Sequence, residues 1–583
     1  MKNRLYKFAL VLLGVSAFAT SCIQEEFPYG SSATKDQIED SSFAADGMIA
    51  AAPATMITNY IGIGEHYDFG YPGILASLDR SIGEVFPSNA YSGGNQYYDR
   101  FQVFMYHIGL GPSNTLASSF LWYNYYQFIK SANDLILVCG DNKALEQQRG
   151  VAKAFRALFY LDLARLYDPL YAVSVEKPRY AEGLKPVLGY TVPIVDENIT
   201  EEKAQNNPRV TRDVMFDFIL SDLNDAEKCL VEYTPSAKNV PSLAVVYGLK
   251  ARVYLWLGGF DEGLYTEKYP NVITGNAAYK EAAKYAAMAI EASHCTPLTE
   301  SQWVDPKTGF NTVNSAWMWA MMQSSDTVLS NLHSWAAHQC CEAEYGYGAM
   351  TQPAMRRESY ERMSDTDFRK RLVYGPEKTY ADMKDITNIP ESRWNVFSEE
   401  KKGARTYAHF KFRTNSGELT NYALANVVDI PLMRVEEMYF IEAEAMAHYN
   451  EAAAREKITS FMTSHRDPRY AIPVSADLVE EIIFQKRCEF WGEGILFFDF
   501  KRLDMGIHNA YEGSNTPAGA DFDTAGRCPG WNFCIPLAEV QQNVALKGMN
   551  NPDPSSTLKA HSSMPDALPA SAPNAAPNAA IWQ

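Results

Sequence analysis

A run near the C-terminal end of the chain carries the residue types that could perform acid–base chemistry. Its charged members are Arg487, Glu489, Glu493, Asp499, Lys501 and Arg502. Paired carboxylates hydrolyse glycosidic bonds when they face each other at a defined separation. These residues, however, alternate with aromatic side chains such as Phe490, Trp491 and Phe497, which is more typical of buried ion pairs and helix-end contacts. The run therefore predicts a structural cluster, and a glycoside hydrolase is the alternative.

Other signatures of catalysis are missing from the sequence. It contains no G-x-S-x-G elbow, no H-E-x-x-H motif and no P-loop. His107, His333 and His338 have no metal-ligand spacing, so we expect histidines of the core or the surface. Asp365 and Asp367 form only an Asp-x-Asp pair, which is too weak a signal for calcium. The sequence predicts no catalytic residue, no metal ligand and no cofactor.

Aromatic side chains in two polar regions indicate ligand binding instead. Sugar rings stack their C–H faces on Tyr and Trp, while nearby polar groups bind the hydroxyls on a preformed surface. The first region is a glycine-containing loop with Tyr91, Asn95, Gln96, Tyr97 and Tyr98. The second contains Trp303, Trp317, Trp319, Trp335, Tyr345 and Tyr347. We expect most of these aromatics to belong to the core and a minority to touch ligand.

The N-terminus has the pattern of a secretory signal. Lys2, Arg4 and Lys7 precede an apolar run over 8–19, which is shorter than the roughly 20 residues that span a bilayer. The run ends in Ala-Thr-Ser-Cys, like the cleavage site of bacterial lipoproteins. We therefore expect residues 1–21 to be removed and Cys22 to carry lipid, with 22–45 as a tether. An ordinary signal peptide with an incidental cysteine is the alternative.

Composition limits the partners and the covalent chemistry. The net charge is -18, which argues against nucleic acid and against electrostatic docking on anionic lipid. Membrane attachment is thus expected through the N-terminal lipid only. Of the cysteines after Cys22, most are expected to be free buried thiols. Cys528 and Cys534 are close enough in sequence to form a disulfide, and the sequence leaves that question open.

Hydrophobic spacing predicts an all-α body. Apolar residues recur at helical spacing in paired segments, and small residues on facing helices allow the close packing of tetratricopeptide (TPR) hairpins. Generic alanine-rich helices are the alternative. We place TPR-like hairpins at about 121–167, 211–258, 277–292 and 432–464 within a single domain over 46–551. A loop-rich aromatic insertion covers 296–430, and a Pro- and Ala-rich tail that we expect to be disordered covers 552–583.

Four segments resemble the SusD/RagB-like family of nutrient-binding outer-membrane lipoproteins. They are AKAFRALFYLDLARLY at 152–167, IPLMRVEEMYFIEAEA at 430–445, IIFQKRCEFWGEGILFFDFKRLD at 482–504 and FCIPLAEVQQN at 533–543. Their order fits the family, as does the acidic Gln24-Glu25-Glu26 stretch after the lipidation motif, which resembles a Bacteroidetes-type surface-export signal. Asp168-Pro169 departs from the family's Gly-Asp turn, and Ile495-Leu496 stands where an arginine is common.

The resemblance implies both a fold and a function. The fold would be SusD-like, with TPR-like hairpins, loops that bind ligand on one face and minor short β elements. The protein would bind a glycan, or a peptide as in RagB-like members, at the cell surface. It would then deliver this ligand to a SusC-like TonB-dependent transporter in the outer membrane. A TPR-type scaffold that contacts only protein is a further alternative.

Overall fold

The structure is a computed structural model that describes residues 42–57, 60–62, 65–67, 70–88, 101–107, 109–113, 116–171, 178–260, 272–325, 334–346, 348, 352–396, 403–517, 519–555 and 557. Several predictions concern residues outside these ranges, namely those for Cys22, Tyr91, Asn95, Tyr97, Tyr98, His333 and Tyr347. The described part of the chain has no helix with the length and apolarity needed to cross a membrane.

The described residues form a mostly helical protein, which confirms the all-α class. The first helices are α1 (Ser42–Thr55), α2 (Gly70–Ser81), α3 (Gln102–Met105), α4 (Leu116–Cys139), α5 (Glu146–Tyr167), α6 (Pro178–Leu184), α7 (Glu201–Ala204), α8 (Arg212–Cys229), α9 (Leu243–Gly258) and α10 (Gly275–Ser293). The later ones are α11 (Glu300–Val304), α12 (Trp335–Gln339), α13 (Arg357–Arg362), α14 (Tyr380–Met383), α15 (Glu391–Trp394), α16 (Tyr422–Ala425), α17 (Val435–Ala447), α18 (Glu451–His465), α19 (Leu478–Glu489), α20 (Leu496–Arg502) and α21 (Leu537–Gln542).

Short strands pair in three antiparallel two-stranded ladders. The strands are β1 (Tyr60–Gly62), β2 (Glu65–Tyr67), β3 (Val85–Pro87), β4 (Trp317–Met321), β5 (Pro353–Met355) and β6 (Ile430–Arg434). β1 pairs with β2, β3 with β5 and β4 with β6. Single 3-10 turns lie at Lys143–Leu145, Lys185–Val187, Phe368–Leu372, Asn415–Gly417, Pro529–Trp531 and Val544–Leu546.

The long helices pack one on the next in chain order. The contacts run from α4 to α5, then to α8, α9, α10, α17 and α18. Small side chains allow this approach, because a Cβ on Gly258 would lie 2.4 Å from the Tyr279 ring of α10. On α10 itself the alanines Ala278, Ala282, Ala286 and Ala289 are buried. The small-residue spacing thus has the packing role that the sequence predicted for it.

Helix ends follow the local sequence with one adjustment. Helix α5 ends at Tyr167, before the Asp168-Pro169 turn, and the Asp168 carboxylate pairs with Arg212 at 2.5 Å in full burial. A proline can occupy the first turn of a helix, but α9 begins at Leu243, beyond Pro241, because the Ser242 hydroxyl caps it by accepting a hydrogen bond from the Val245 N–H at 3.4 Å.

The segment 432–434 was predicted as the start of a helix, and the structure corrects this. Those residues belong to strand β6, and helix α17 begins only at Val435. Proline at position 431 lacks the N–H that a helix interior needs. The buried run WMWAM of β4 supplies a partner strand for this segment. The strand connects the insertion directly to the helical array.

The predictions for cysteines and the C-terminal tail have different outcomes. Cys528 and Cys534 are both buried free thiols, so the disulfide is not formed. The Cys534 thiol instead donates to the Asn551 carbonyl at 3.4 Å. The tail was expected to be disordered from 552, but Pro554 and Thr557 are buried. The packed chain therefore extends a few residues further than predicted.

His107 gives the fold a pH dependence. Its imidazole is buried, with Nε2 3.1 Å from the Ser81 carbonyl and Nδ1 3.5 Å from the Cys528 thiol. Burial lowers its pKa from 6.5 to about 4. Between pH 6.5 and about 4, the His107 imidazole is therefore protonated in the unfolded chain and neutral in the folded chain. His107 should contribute stability above about pH 6.5, and this contribution should fall by about 3 kcal/mol as the pH drops to about 4.

The measurement is urea unfolding of the native chain and of His107→Asn across this pH range. Asn suits the positive φ of 52° at this position. As the pH decreases, the free energy of unfolding should fall less steeply for the variant than for the native chain. The difference in slope should correspond to close to one proton taken up on unfolding. Parallel curves for the two proteins would contradict this account of His107.

Candidate ligand-binding surface

The charged run singled out in the sequence is buried inside the protein. The Glu489 carboxylate is fully buried and accepts hydrogen bonds from Arg466 Nε at 2.8 Å, Arg369 Nη1 at 3.0 Å and Arg434 Nη1 at 3.2 Å. Glu493 accepts from Arg434 Nε at 2.9 Å. The prediction of buried ion pairs is confirmed. Of the charged residues in the run, Arg487 is partly buried and the others are buried.

Trp303 is part of this buried cluster. Its ring lies 5.3 Å from the Arg466 guanidinium, 5.4 Å from the Lys411 ammonium and 5.7 Å from the Arg434 guanidinium. Cations stabilised over an aromatic face are common in protein cores. Trp303 has no accessible surface, so its role is packing against charge and not ligand stacking.

Three more tryptophans proposed as ligand candidates are also core residues. Trp317 and Trp319 have no accessible surface, and Trp335 is 2% exposed. Trp319 packs on Phe155 of α5 at 5.2 Å, and Trp335 meets Phe412 edge-on at 4.7 Å. An aromatic strand buried on both faces has the same polar-flanked composition as a binding loop. The sequence alone did not separate these two cases.

Tyr345 is the described candidate that reaches the surface, and a second tyrosine accompanies it. The half-buried ring of Tyr345 contacts Tyr422 edge-to-face, with the ring centroids 6.3 Å apart. Tyr422 is 39% exposed, and the neighbouring Leu424 is 55% exposed. The backbone N–H of Glu344 donates to the Leu419 carbonyl at 2.7 Å. This bond holds the two segments side by side. We call Tyr345 and Tyr422 the tyrosine pair.

Hydrogen bonds fix the orientation of Tyr345. Its hydroxyl donates to Asn426 Oδ1 at 2.9 Å, and burial raises its pKa. Asn426 is itself buried at the end of α16, where its N–H donates to the Tyr422 carbonyl at 3.0 Å. Asn426 therefore connects the Tyr345 hydroxyl to the backbone of Tyr422.

A polar turn borders the tyrosine pair. The Glu418 carboxylate accepts hydrogen bonds from the N–H groups of Asn421 at 2.9 Å and Thr420 at 2.8 Å. These bonds lower the pKa of Glu418 to about 2, so the turn carries a fixed negative charge. Asn421 Oδ1 caps α16 by accepting from the Ala423 N–H at 3.1 Å. Thr420 and Asn421 are exposed beside the rings.

Such an arrangement has the features of a binding surface. It offers one exposed aromatic face, an apolar neighbour at Leu424 and polar groups of both hydrogen-bonding kinds. These are the features that a sugar ring contacts. Tyr422 was missed in the sequence because α16 has only four residues and no periodic pattern. Its setting among Thr420, Asn421 and Asn426 was the available signal.

The remaining candidates of the sequence analysis have structural contacts. The Asp365 carboxylate pairs with Lys370 at 2.7 Å, and Asp367 pairs with Arg369 at 2.6 Å. His107 and His338 are buried, as expected for core histidines. Across the ranges that the structure describes, no group of three or more His, Cys, Asp or Glu side chains is placed to hold a metal ion.

Comparison with known proteins identifies the fold. Residues 375–552 match the model of the SusD family. A SusD-like carbohydrate binding protein from Bacteroides vulgatus superposes with a TM-score of 0.62 at 20% identity, over 86% of this chain and 96% of that one. The chain has a SusD-like fold. A search of curated proteins finds no match to it.

Two more solved structures resemble this chain along most of its length. A SusD superfamily protein from Bacteroides thetaiotaomicron has a TM-score of 0.62 at 16% identity, over 89% of this chain and 100% of that one. Surface glycan-binding protein A from the same species, solved with laminarihexaose, has a TM-score of 0.59 at 15% identity, over 88% and 99%. At these identities the likeness concerns the fold.

Proposed function

We propose that this SusD-like protein is a cell-surface lipoprotein that binds an oligosaccharide and delivers it to a SusC-like TonB-dependent transporter. The observation that carries the proposal is the tyrosine pair, an exposed aromatic surface with polar borders on a SusD fold. The solved relative with laminarihexaose supports glycan as the ligand class. The sequence singled out one motif with paired acid and base groups, and this motif is buried. Its burial supports binding without cleavage.

The N-terminal sequence supports a proposal for the location of the protein. We propose that residues 1–21 are removed, that Cys22 carries lipid and that the acidic body stands outside the outer membrane. Lipid chains supply the attachment, since each buried CH2 contributes about 0.8 kcal/mol. The loop residues Tyr91, Asn95, Tyr97, Tyr98 and Tyr347 remain proposed ligand contacts beside the tyrosine pair. A peptide ligand, as in RagB-like proteins, is the second candidate.

The deciding experiment is affinity electrophoresis of the chain without residues 1–22 in gels that contain single polysaccharides. We expect one glycan, with laminarin the first to be tried, to retard the protein while chromatography detects no shortened products. Retardation with new products would indicate a hydrolase. No retardation by any glycan would contradict the glycan proposal and direct the search to peptides.

The tyrosine pair can be tested by a single substitution. Tyr422→Ala removes the exposed ring and should weaken glycan binding about three- to tenfold, since one aromatic contact contributes about 0.5–1.5 kcal/mol. Isothermal titration with the glycan found by electrophoresis gives the affinity. Tyr449→Ala is the matched control, because Tyr449 is 36% exposed but lies between α17 and α18. Equal affinities for the two variants would exclude Tyr422 from the site.

A transporter partner requires a separate experiment. The lipidated protein should co-purify from outer membranes with a TonB-dependent transporter of the same cell. Substitution of Cys22 by alanine should release the protein from the membrane fraction. If the Cys22→Ala protein stayed membrane-bound after washing with high salt, lipid at that position would not be the anchor.

A further inference from the structure

A small internal cavity lies where helices α2, α5, α9, α17, α19 and α20 meet. It has a volume of about 40 Å³, and its wall is built largely from charged side chains. A water molecule needs about 10–15 Å³ by this measure, so the cavity accommodates an ion or a few small molecules. It is far too small for a sugar ring. This cavity is separate from the tyrosine pair and from the proposed glycan function.

The carboxylates of the wall are already fully used. Asp162 accepts from Arg165 through one oxygen and from the Tyr71 hydroxyl at 2.6 Å through the other. Each oxygen of Glu437 accepts from Arg252, at 2.6 and 2.7 Å. The two oxygens of Asp499 pair with Arg502 at 2.7 Å and with Lys486 at 2.5 Å. Every carboxylate oxygen in the wall therefore has a hydrogen-bond donor.

Two N–H groups in the same wall have no hydrogen-bond partner. They are Nη1 of Arg502 and Nε1 of Trp256, and both side chains are buried. A buried donor without an acceptor costs about 1–3 kcal/mol. Both of these groups can donate and neither can accept. The missing partner of each group must therefore be a hydrogen-bond acceptor.

The charged side chains around the cavity balance one another before any ion binds. Its cations are Arg165, Arg252, Lys486 and Arg502, and its carboxylates are Asp162, Glu437 and Asp499. Glu444 pairs with Lys486 at 3.0 Å and also with Arg502, which brings the group to balance. A monatomic anion accepts hydrogen bonds without needing acceptors of its own. We propose that this cavity is a structural halide site that binds chloride between Arg502 and Trp256.

The first test is the melting temperature of the full mature chain in chloride and in methanesulfonate at matched ionic strength. Methanesulfonate is larger than the cavity and reports ordinary salt effects. Because an ion that binds only the folded chain stabilises it, Tm should rise by about 1–3 °C as chloride increases from low to several hundred millimolar. Equal melting temperatures in the two salts would overturn the proposal.

Two variants place the effect at this cavity. Trp256→Phe keeps the ring but removes the N–H, and it should lose most of the chloride-dependent rise. Trp303→Phe is the matched control, because Trp303 Nε1 is also buried without a partner but lies outside the cavity wall. The control variant should keep the rise. A rise of the same size in Trp256→Phe would overturn the proposal.

Crystals soaked in bromide give a readout that does not depend on variant stability. We expect an anomalous peak between the Arg502 guanidinium and the Trp256 indole. Density for water alone in the cavity, with no anomalous signal, would show that the two donors are hydrated and would overturn the halide assignment.

Discussion

Replacing Glu489 by glutamine should destabilise the protein by about 3–5 kcal/mol, because it leaves buried arginines without their shared carboxylate. Although burial by itself raises the pKa of this carboxyl, Arg466, Arg434 and Arg369 hold it well below its usual value. Each of these guanidiniums is at most 2% exposed. Glutamine preserves shape and some hydrogen bonding but removes the charge on which all three converge.

The measurement is urea unfolding at neutral pH beside a control on the same helix. Glu480→Gln removes an exposed carboxylate from the first turn of α19 and should change stability by no more than about 0.5 kcal/mol. Because the folded pKa of Glu489 is depressed, its contribution is present above the unfolded value of 4.5 and is lost as the pH falls. The difference in the free energy of unfolding between the native chain and Glu489→Gln should therefore decrease in acid. A constant gap would contradict the ionised state of Glu489.

Gly494→Ala should be comparably severe for a different reason. Gly494 has a φ of +78°, and a Cβ there would lie 2.6 Å from Leu75 Cα and 2.7 Å from the Leu75 carbonyl oxygen. Those atoms belong to the backbone of α2, which cannot move aside as a side chain can. The Gly494 N–H also donates to the buried Asp79 carboxylate at 2.7 Å. We expect a loss of about 3 kcal/mol or more.

Gly548→Ala separates the two costs in this prediction. Gly548 has nearly the same φ, +79°, but no atom lies within 4 Å of its added Cβ. It should therefore lose only the conformational term, about 1 kcal/mol. The difference in Tm between the two variants measures the cost of the close approach to α2. If both variants melted together, contact with Leu75 would not limit the substitution.

The sequence predicted those features of the fold that repeat along one element. Helices α5, α8 and α10 follow from apolar spacing, and the alternation of charge and aromatic residues around Glu489 indicated buried ion pairs. Strand β6 was not anticipated, because its helix-like composition becomes a strand only when the distant β4 supplies hydrogen bonds. Such pairings between distant segments leave no local pattern.

The binding surface was predicted less well than the fold. The tryptophans predicted to bind ligand, Trp303, Trp317, Trp319 and Trp335, are core residues. Among the predicted ligand contacts that the structure describes, only Tyr345 reaches the surface. An aromatic residue in a polar stretch has the same local sequence whether its ring is covered or exposed. Burial depends on what the rest of the chain places over it. The contact with Tyr345 identified Tyr422, whose polar setting was the one signal in the sequence.

The β4–β6 ladder joins the segment that carries the tyrosine pair to the helical array. β6 ends at Arg434, α17 begins at the next residue, and the Val435 N–H donates to the Ala316 carbonyl at 2.8 Å. Helix α17 therefore cannot move away from the other helices unless β6 moves with it. Amide hydrogens of Trp317–Met321 and of α17 should therefore exchange with solvent through the same local unfolding event. A ligand bound at the tyrosine pair would then slow hydrogen exchange in helices that it does not contact.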